Sequence, residues 1–154
     1  MILQIDAALL KSIVDAAEAA YPAEACGLIV GRGKGQLVRV TRVVAAANLL
    51  ADQPGRFELD PAVRVALERD LREAGGKDRV VGHYHSHPDG SADPSAADRA
   101  GAFEPELAWV IVGVLDGQAI QVQGHRFDDK RAGFRPVPLR VPKKNACKPP
   151  SHSA

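Results

Sequence analysis

The stretch "GHYHSHPDGSADPSAAD", Gly82 to Asp98, carries three of the five histidines in the 154-residue chain. His83, His85 and His87 stand two residues apart, and Pro88 follows at once. In an extended strand alternate residues share a face, so the three imidazoles are expected to look the same way. Two neighbouring imidazoles can converge on one metal ion, for which nitrogen is a common donor. Proline cannot continue a ladder, so the strand is expected to stop at His87 and open into a loop, where functional groups tend to sit.

The return leg has its own signal. Asp93-Pro94 in "DPSAADRAGAF" reads as a helix cap followed by a first-position proline, which puts Ser95 in the first turn and Asp98 three residues on. Residues three apart share a helix face, so Ser95 and Asp98 are expected to point together. Two imidazoles and one carboxylate make three ligands, the protein share of a catalytic zinc site that keeps a fourth position open. Such an ion activates water and polarises a carbonyl, and a separate base must handle the proton. No H-E-x-x-H helix supplies that base here.

Outward from this stretch the chain alternates helical and strand-like segments. Asp6 is read as the cap of a helix running to about Ala20, with Leu9, Leu10, Ile13, Val14 and Ala17 on one face, and Pro22 at or beyond its end. "ACGLIVG" reads as a buried strand, "GRGKGQ" as a turn, and "LVRVTRVVAAANL" as a second strand. "FELD" suggests a short strand. Asp60-Pro61 starts a helix carrying Val63, Leu67 and Leu71, and Gly75-Gly76 stop it. "LAWVIVGVLD" has the β-branched, nearly continuous apolar character of a central strand, and Asp116-Gly117 predicts a hairpin into "QAIQVQGHRF". Pro136 and Pro138 confine a last strand in "FRPVPLRV" to an edge or an irregular position. The reading is an α/β or α+β fold, a sheet flanked by helices. One domain is expected over residues 1–141, and residues 142–154 are expected to form a disordered tail.

Composition narrows the function classes. A hydrophobic content of 45%, a charged content of 25% and a net charge of +1 describe a globular protein with no bulk attraction to nucleic acid or anionic membranes. No segment approaches the roughly 20 apolar residues of a membrane span, and the N-terminus lacks signal-peptide character. The two cysteines, Cys26 and Cys147, are too few and too far apart for a disulfide framework, and a cytoplasmic location is the default expectation. The chain has neither a dinucleotide-binding fingerprint nor a P-loop.

Taken together, His85-Ser86-His87-Pro88, six residues, Ser95, two residues and Asp98 fit H-x-H-P-x(6)-S-x(2)-D, which resembles the JAMM signature of the MPN-type zinc metallopeptidases. That family also has a glutamate ahead of its first core strand, in a context similar to "YPAEACGLIVG". The resemblance spans roughly residues 1–140. It implies a mixed, curved MPN/JAB-type sheet flanked by helices, akin to cytidine deaminases. It implies one Zn²⁺ per chain on His85, His87 and Asp98, with Glu24 as general acid/base and Ser95 steadying the oxyanion. It further implies hydrolysis of a peptide or isopeptide bond after the Gly-Gly end of a ubiquitin-like protein, and the compact size favours a sulfur-carrier substrate. A monomer or homodimer is expected.

The alternative is a non-catalytic MPN-like interaction scaffold, whose members usually lack one or more of the five residues. A zinc deaminase would need P-C-x-x-C, which this chain lacks. The sequence departs from the family at His83, where a bulky apolar residue is common; a competing ligand, a partner of a ligand and a neutral core residue are the options, the last two favoured. The plain reading of Ser95 alone is helix-start capping, and of Glu24 alone an exposed carboxylate. Cys26 is expected to be a small buried thiol, and Trp109 a core residue or a border of the substrate groove. His125 is expected on a strand in solvent. Cys147, His152, Lys143, Lys144 and Lys148 are expected in a solvated tail.

Overall fold

A computed structural model describes residues 1–143. The expectations for Lys144, Cys147, Lys148 and His152 lie outside the described residues, and Lys143 is exposed without regular structure. The elements are β1 (Ile2–Gln4), α1 (Ala7–Ala20), β2 (Cys26–Arg32), β3 (Leu37–Ala46), α2 (Pro61–Ala74), β4 (Arg79–His87), α3 (Ala96–Ala100), β5 (Ala108–Leu115), β6 (Gln118–Asp128), β7 (Gly133–Val137) and β8 (Leu139–Arg140).

One eight-stranded mixed sheet runs in the order β7-β6-β5-β4-β2-β3-β1-β8. β4 pairs in parallel with β5 and antiparallel with β2, so the histidine strand is central. β5 is buried along nearly its whole length, as its unbroken apolar run predicts. The proline-bearing segment does not make one strand. β7 closes on β6 and β8 closes on β1, with only Pro138 between them, so consecutive strands lie at opposite edges. The Pro138 carbonyl accepts the Leu3 N–H, and the sheet curls until it is nearly barrel-shaped.

The two faces bury different sets. Ile29, Tyr84, Val110 and Val112 join Ile13 and Ala17 of α1 in the main core. On the opposite face Leu28 and Val30 pack with Leu67 of α2. Paired residues share a face, and Leu28 pairs with His83. The histidines therefore lie on the α2 side.

Helix ends follow local chemistry in two of three cases. Asp60 accepts the Ala62 N–H at 2.9 Å, and Gly75 takes the left-handed conformation at the far end. Asp116 and Gly117 both have positive φ, the geometry of a tight two-residue hairpin. Asp6 stands at the α1 N-cap position, but its side chain makes no capping bond. β1, three residues long, was not expected, because its pairing partners lie more than thirty residues away in sequence. "FELD" yields only a single bridge, Asn48 to Leu59. Among the described residues no helix is long and apolar enough to cross a membrane.

Replacing Asp60 by Ala removes a cap and should lower unfolding stability by about 1 kcal/mol, read from the urea midpoint at unchanged m-value. No shift in the midpoint would mean that the cap bond is matched by water.

Candidate metal centre

The strand period places His83, His85 and His87 on one face at the C-terminal end of β4. His85 has no exposed surface and His87 is 7% exposed. Phe57 stacks on the His85 ring with centroids 4.3 Å apart, and Trp109 meets the His83 ring edge-on at 4.2 Å.

Asp98 arrives from α3, with one correction to the expected helix start. Ser95, not Asp93, is the N-cap, and Pro94 precedes the helix rather than opening it. Ser95 and Asp98 form a capping box. The Asp98 N–H donates to Ser95 Oγ at 3.1 Å, and the Ser95 N–H donates to Asp98 Oδ2 at 2.7 Å. This reciprocal pair aims the carboxylate at the histidines. Oδ1 lies 3.0 Å from His85 Nε2 and Oδ2 lies 3.1 Å from His87 Nε2. The two Nε2 atoms are 3.0 Å apart.

Glu24, four per cent exposed, enters from the turn before β2 and is no surface carboxylate. Its Oε1 is 3.9 Å from His87 Nε2, and its Oε2 is buried without a partner among the described residues. Glu24, His85 and His87 each offer a ligand-type atom, all within 4.8 Å of one another. Two residues that sequence reasoning passed over hold this turn. Ser86 Oγ accepts the Ala25 N–H at 2.8 Å, and Asn48 Nδ2 donates to the Glu24 carbonyl at 3.0 Å. The serine between the two histidines must face away from them and toward the neighbouring backbone, which was the available signal; Asn48 offered none.

The donor set fits a metal ion on proton accounting. A carbonyl only accepts, so the 3.0 Å contact of His87 Nδ1 with Ser91 O makes Nδ1 the N–H. A neutral His87 then turns the lone pair of Nε2 toward the acceptor-only Asp98 carboxylate. Two acceptors this close need a proton or a cation between them. Two imidazole nitrogens 3.0 Å apart, each within 3.0–3.1 Å of a different oxygen of the one Asp98 carboxylate, suit tetrahedral zinc, whose ligand atoms stand about 3.3 Å apart when bonds are near 2.0 Å. The His87 bond to Ser91 is also the outer contact that ligating histidines usually make. Among the described residues His85 has none: its Nδ1 is buried without a partner.

The electrostatics agree. Burial opposes charge on His87, but Asp98 and then Glu24 outweigh it and raise its pKa. Burial lowers His85 against the pull of Asp98. Burial would raise Asp98, yet hydrogen bonds with His85, His87 and the Ser95 N–H hold it well below the ordinary carboxylate range. Burial pushes Glu24 up to about 7, His87 opposing and Asp98 adding.

Over this nest lies a cleft of about 160 Å³ with Glu24, Arg56, Phe57, Asp98 and Trp109 in its walls. A larger depression of about 430 Å³ around Phe127 and Arg135 shares none of these residues. Trp109 is thus both nearly buried and a wall of the cleft. Cys26 is a buried free thiol, as expected, and burial pushes its pKa up to about 11. His83 stays outside the nest, partly buried against Trp109, and burial pushes it down to about 3. His125 corrects its expectation: it is buried, with Nε2 donating to the Ala92 carbonyl at 2.8 Å.

A mixed, curled sheet with this nest at its central strand end defines a class before any comparison. The family model for prokaryotic homologs of the JAB domain matches residues 6–127, and the chain belongs to that family. It is 37% identical over 90 residues to a desampylase of Haloferax volcanii, covering 58% of this chain and 62% of that protein. It is 29% identical over 136 residues to a CysO-cysteine peptidase of Mycobacterium tuberculosis, covering 88% and 90%. A tail tip assembly protein of Escherichia phage N15 is 32% identical over 114 residues, covering 74% of this chain and 42% of that protein. The chain therefore spans less than two thirds of two of these relatives. A solution structure from Desulfitobacterium hafniense superposes with a TM-score of 0.78 at 28% identity, covering 93% and 94% of the two chains.

With the pKa of His87 raised and those of His85 and Asp98 lowered, a metal ion entering this nest would compete chiefly with the proton on His87. Zinc affinity should fall about tenfold per pH unit once His87 is protonated, measured by chelator competition across the imidazole range. A slope nearer a hundredfold would show that His85 also enters protonated.

Proposed function

We propose that the chain is a zinc metallopeptidase of the JAMM type, acting through residues 1–141 on the bond after the Gly-Gly end of a ubiquitin-like, sulfur-carrier protein. The carrying observation is the convergence of His85, His87 and Asp98 within 3.0–3.1 Å, with the buried Glu24 beside them. The relatives named desampylase and CysO-cysteine peptidase support the substrate class. One zinc per chain on His85, His87 and Asp98 would supply Lewis acidity to the scissile carbonyl and to water.

The remaining work falls to the chain's own groups. Glu24, pushed up to about 7 by burial, is poised to take a proton from water and return it to the leaving amine near neutral pH. Its carbonyl is anchored by Asn48, so the carboxylate enters the nest from a fixed turn. Ser95 Oγ accepts from the Asp98 N–H, which leaves its own proton free for a developing oxyanion. Phe57 and Trp109 wall the cleft and limit water around the reacting bond. Cytoplasmic action, as a monomer or homodimer, belongs to the same reading, and the free Cys26 thiol is compatible with a reducing compartment.

The test is a set of purified variants given a carrier protein extended beyond its Gly-Gly end. Glu24→Gln should keep its zinc and lose about 10²–10⁴-fold in cleavage rate. Asp98→Ala should lose the metal, and His83→Ala should keep it, by elemental analysis. Cleavage by Glu24→Gln at the wild-type rate would remove Glu24 as the base. A wild-type protein that holds zinc and cleaves nothing would favour the interaction-scaffold reading.

A further inference from the structure

His125 has no part in the chemistry described so far, yet it is 6% exposed, well inside β6. It pairs across the sheet with Trp109, and its Nε2 lies 2.8 Å from the Ala92 carbonyl. A carbonyl can only accept, so this nitrogen carries the proton. Ala92 is wholly buried, in the middle of the segment that joins His87 to Ser95. Without His125 its carbonyl would be a buried acceptor with no partner among the described residues.

The start of that segment is fixed independently of His125. It is pressed onto β5 backbone to backbone: a Cβ at Gly113 would come within 2.1 Å of the Gly90 oxygen. The adjacent carbonyl, that of Ser91, receives the His87 Nδ1–H at 3.0 Å. Two successive carbonyls of one short segment therefore each take an imidazole N–H, one from β4 and one from β6. If the Ala92 carbonyl is released, the peptide between Ser91 and Ala92 can turn and the acceptor for His87 Nδ1–H goes with it. The His87 proton then has a stronger acceptor on the other side of the ring, since Asp98 Oδ2 lies 3.1 Å from Nε2. A proton there occupies the lone pair that a metal needs.

We infer that His125 is a positioning residue for the metal nest: through the Ala92 carbonyl it holds residues 88–94 so that Ser91 keeps the His87 proton on Nδ1 and Nε2 stays free to ligate. This rests on the zinc reading of the nest. His125 makes no hydrogen bond to the nest itself; it is the cross-strand partner of the cleft-wall residue Trp109 and has a minor charge effect on His85, and its hydrogen bond reaches His87 only through the loop backbone.

The experiment compares wild type, His125→Leu and His125→Gln by chelator-competition zinc affinity, urea midpoint and imidazole ¹⁵N shifts of the zinc-loaded protein. His125→Leu should weaken zinc by about tenfold, the lower end of the effect of losing a ligand's own outer partner, since His125 acts one peptide beyond it, and speed exchange of the His87 Nδ1 proton. His125→Gln, which restores an N–H donor, should recover most of the affinity. A lower urea midpoint with unchanged zinc affinity would make His125 structural only and overturn the inference. Should His125→Leu not fold, the wild-type spectrum decides: a proton on Nδ1 rather than Nε2 of His125 overturns it as well. Wild-type protein that binds no zinc would defeat the metal-site reading itself, whereas zinc binding unaffected by His125→Leu defeats only this inference.

Discussion

His87 Nε2 faces the Asp98 carboxylate at 3.1 Å while its other nitrogen donates to Ser91. Neutral imidazole and carboxylate would then present lone pair to lone pair, a contact the chain sustains only with positive charge in the gap. Much of the fold serves to hold that contact. Strand alternation sets His87 beside His85, the capping box turns Asp98 toward both, and the partly buried segment between them holds the distance.

At the sheet's centre β4 is packed closely on β5, and β5 in turn on the loop that follows β4. A Cβ on Gly82 would meet the Ala108 carbonyl oxygen at 2.3 Å, and one on Gly113 would meet the Gly90 oxygen at 2.1 Å. These positions tolerate no side chain, since the opposing atoms are backbone. Ser86 ties the end of β4 to the Glu24 turn from the face opposite the histidines. Burying Glu24 beside this cluster is costly for a carboxylate, and its raised pKa registers that cost. A carboxylate with Oε2 unpartnered among the described residues, lining a cleft, fits proton handling better than structural support.

Legibility in the sequence followed the range of the interactions. α2, with its Asp60 cap and Gly75 stop, the Asp116-Gly117 hairpin and the buried β5 all rest on residues within a few positions of one another. β1 and the splitting of "FRPVPLRV" between two edges depend on partners far along the chain, and local pattern does not carry them. Asp6 shows that a capping residue in the right place need not cap. Asp93-Pro94 misled by one element boundary, because Ser95 and Asp98 together outcompete Asp93 as the cap. His125 looked like a strand residue facing water, since nothing near it in sequence announces that the loop before α3 will fold over it.

The amino-acid sequence by itself determined which donors are available and which way neighbours face. The two-residue spacing of His85 and His87 and the three-residue spacing of Ser95 and Asp98 are properties of strand and helix geometry. Tertiary structure alone decided that Glu24, some sixty residues earlier, is buried against them, that His83 is turned to Trp109 instead, and that His125 braces the loop between. The reason is that burial and convergence arise where the sheet curls and a loop crosses it. Those contacts join β2, β4, β5 and β6, and a local window contains no two of their partners at once.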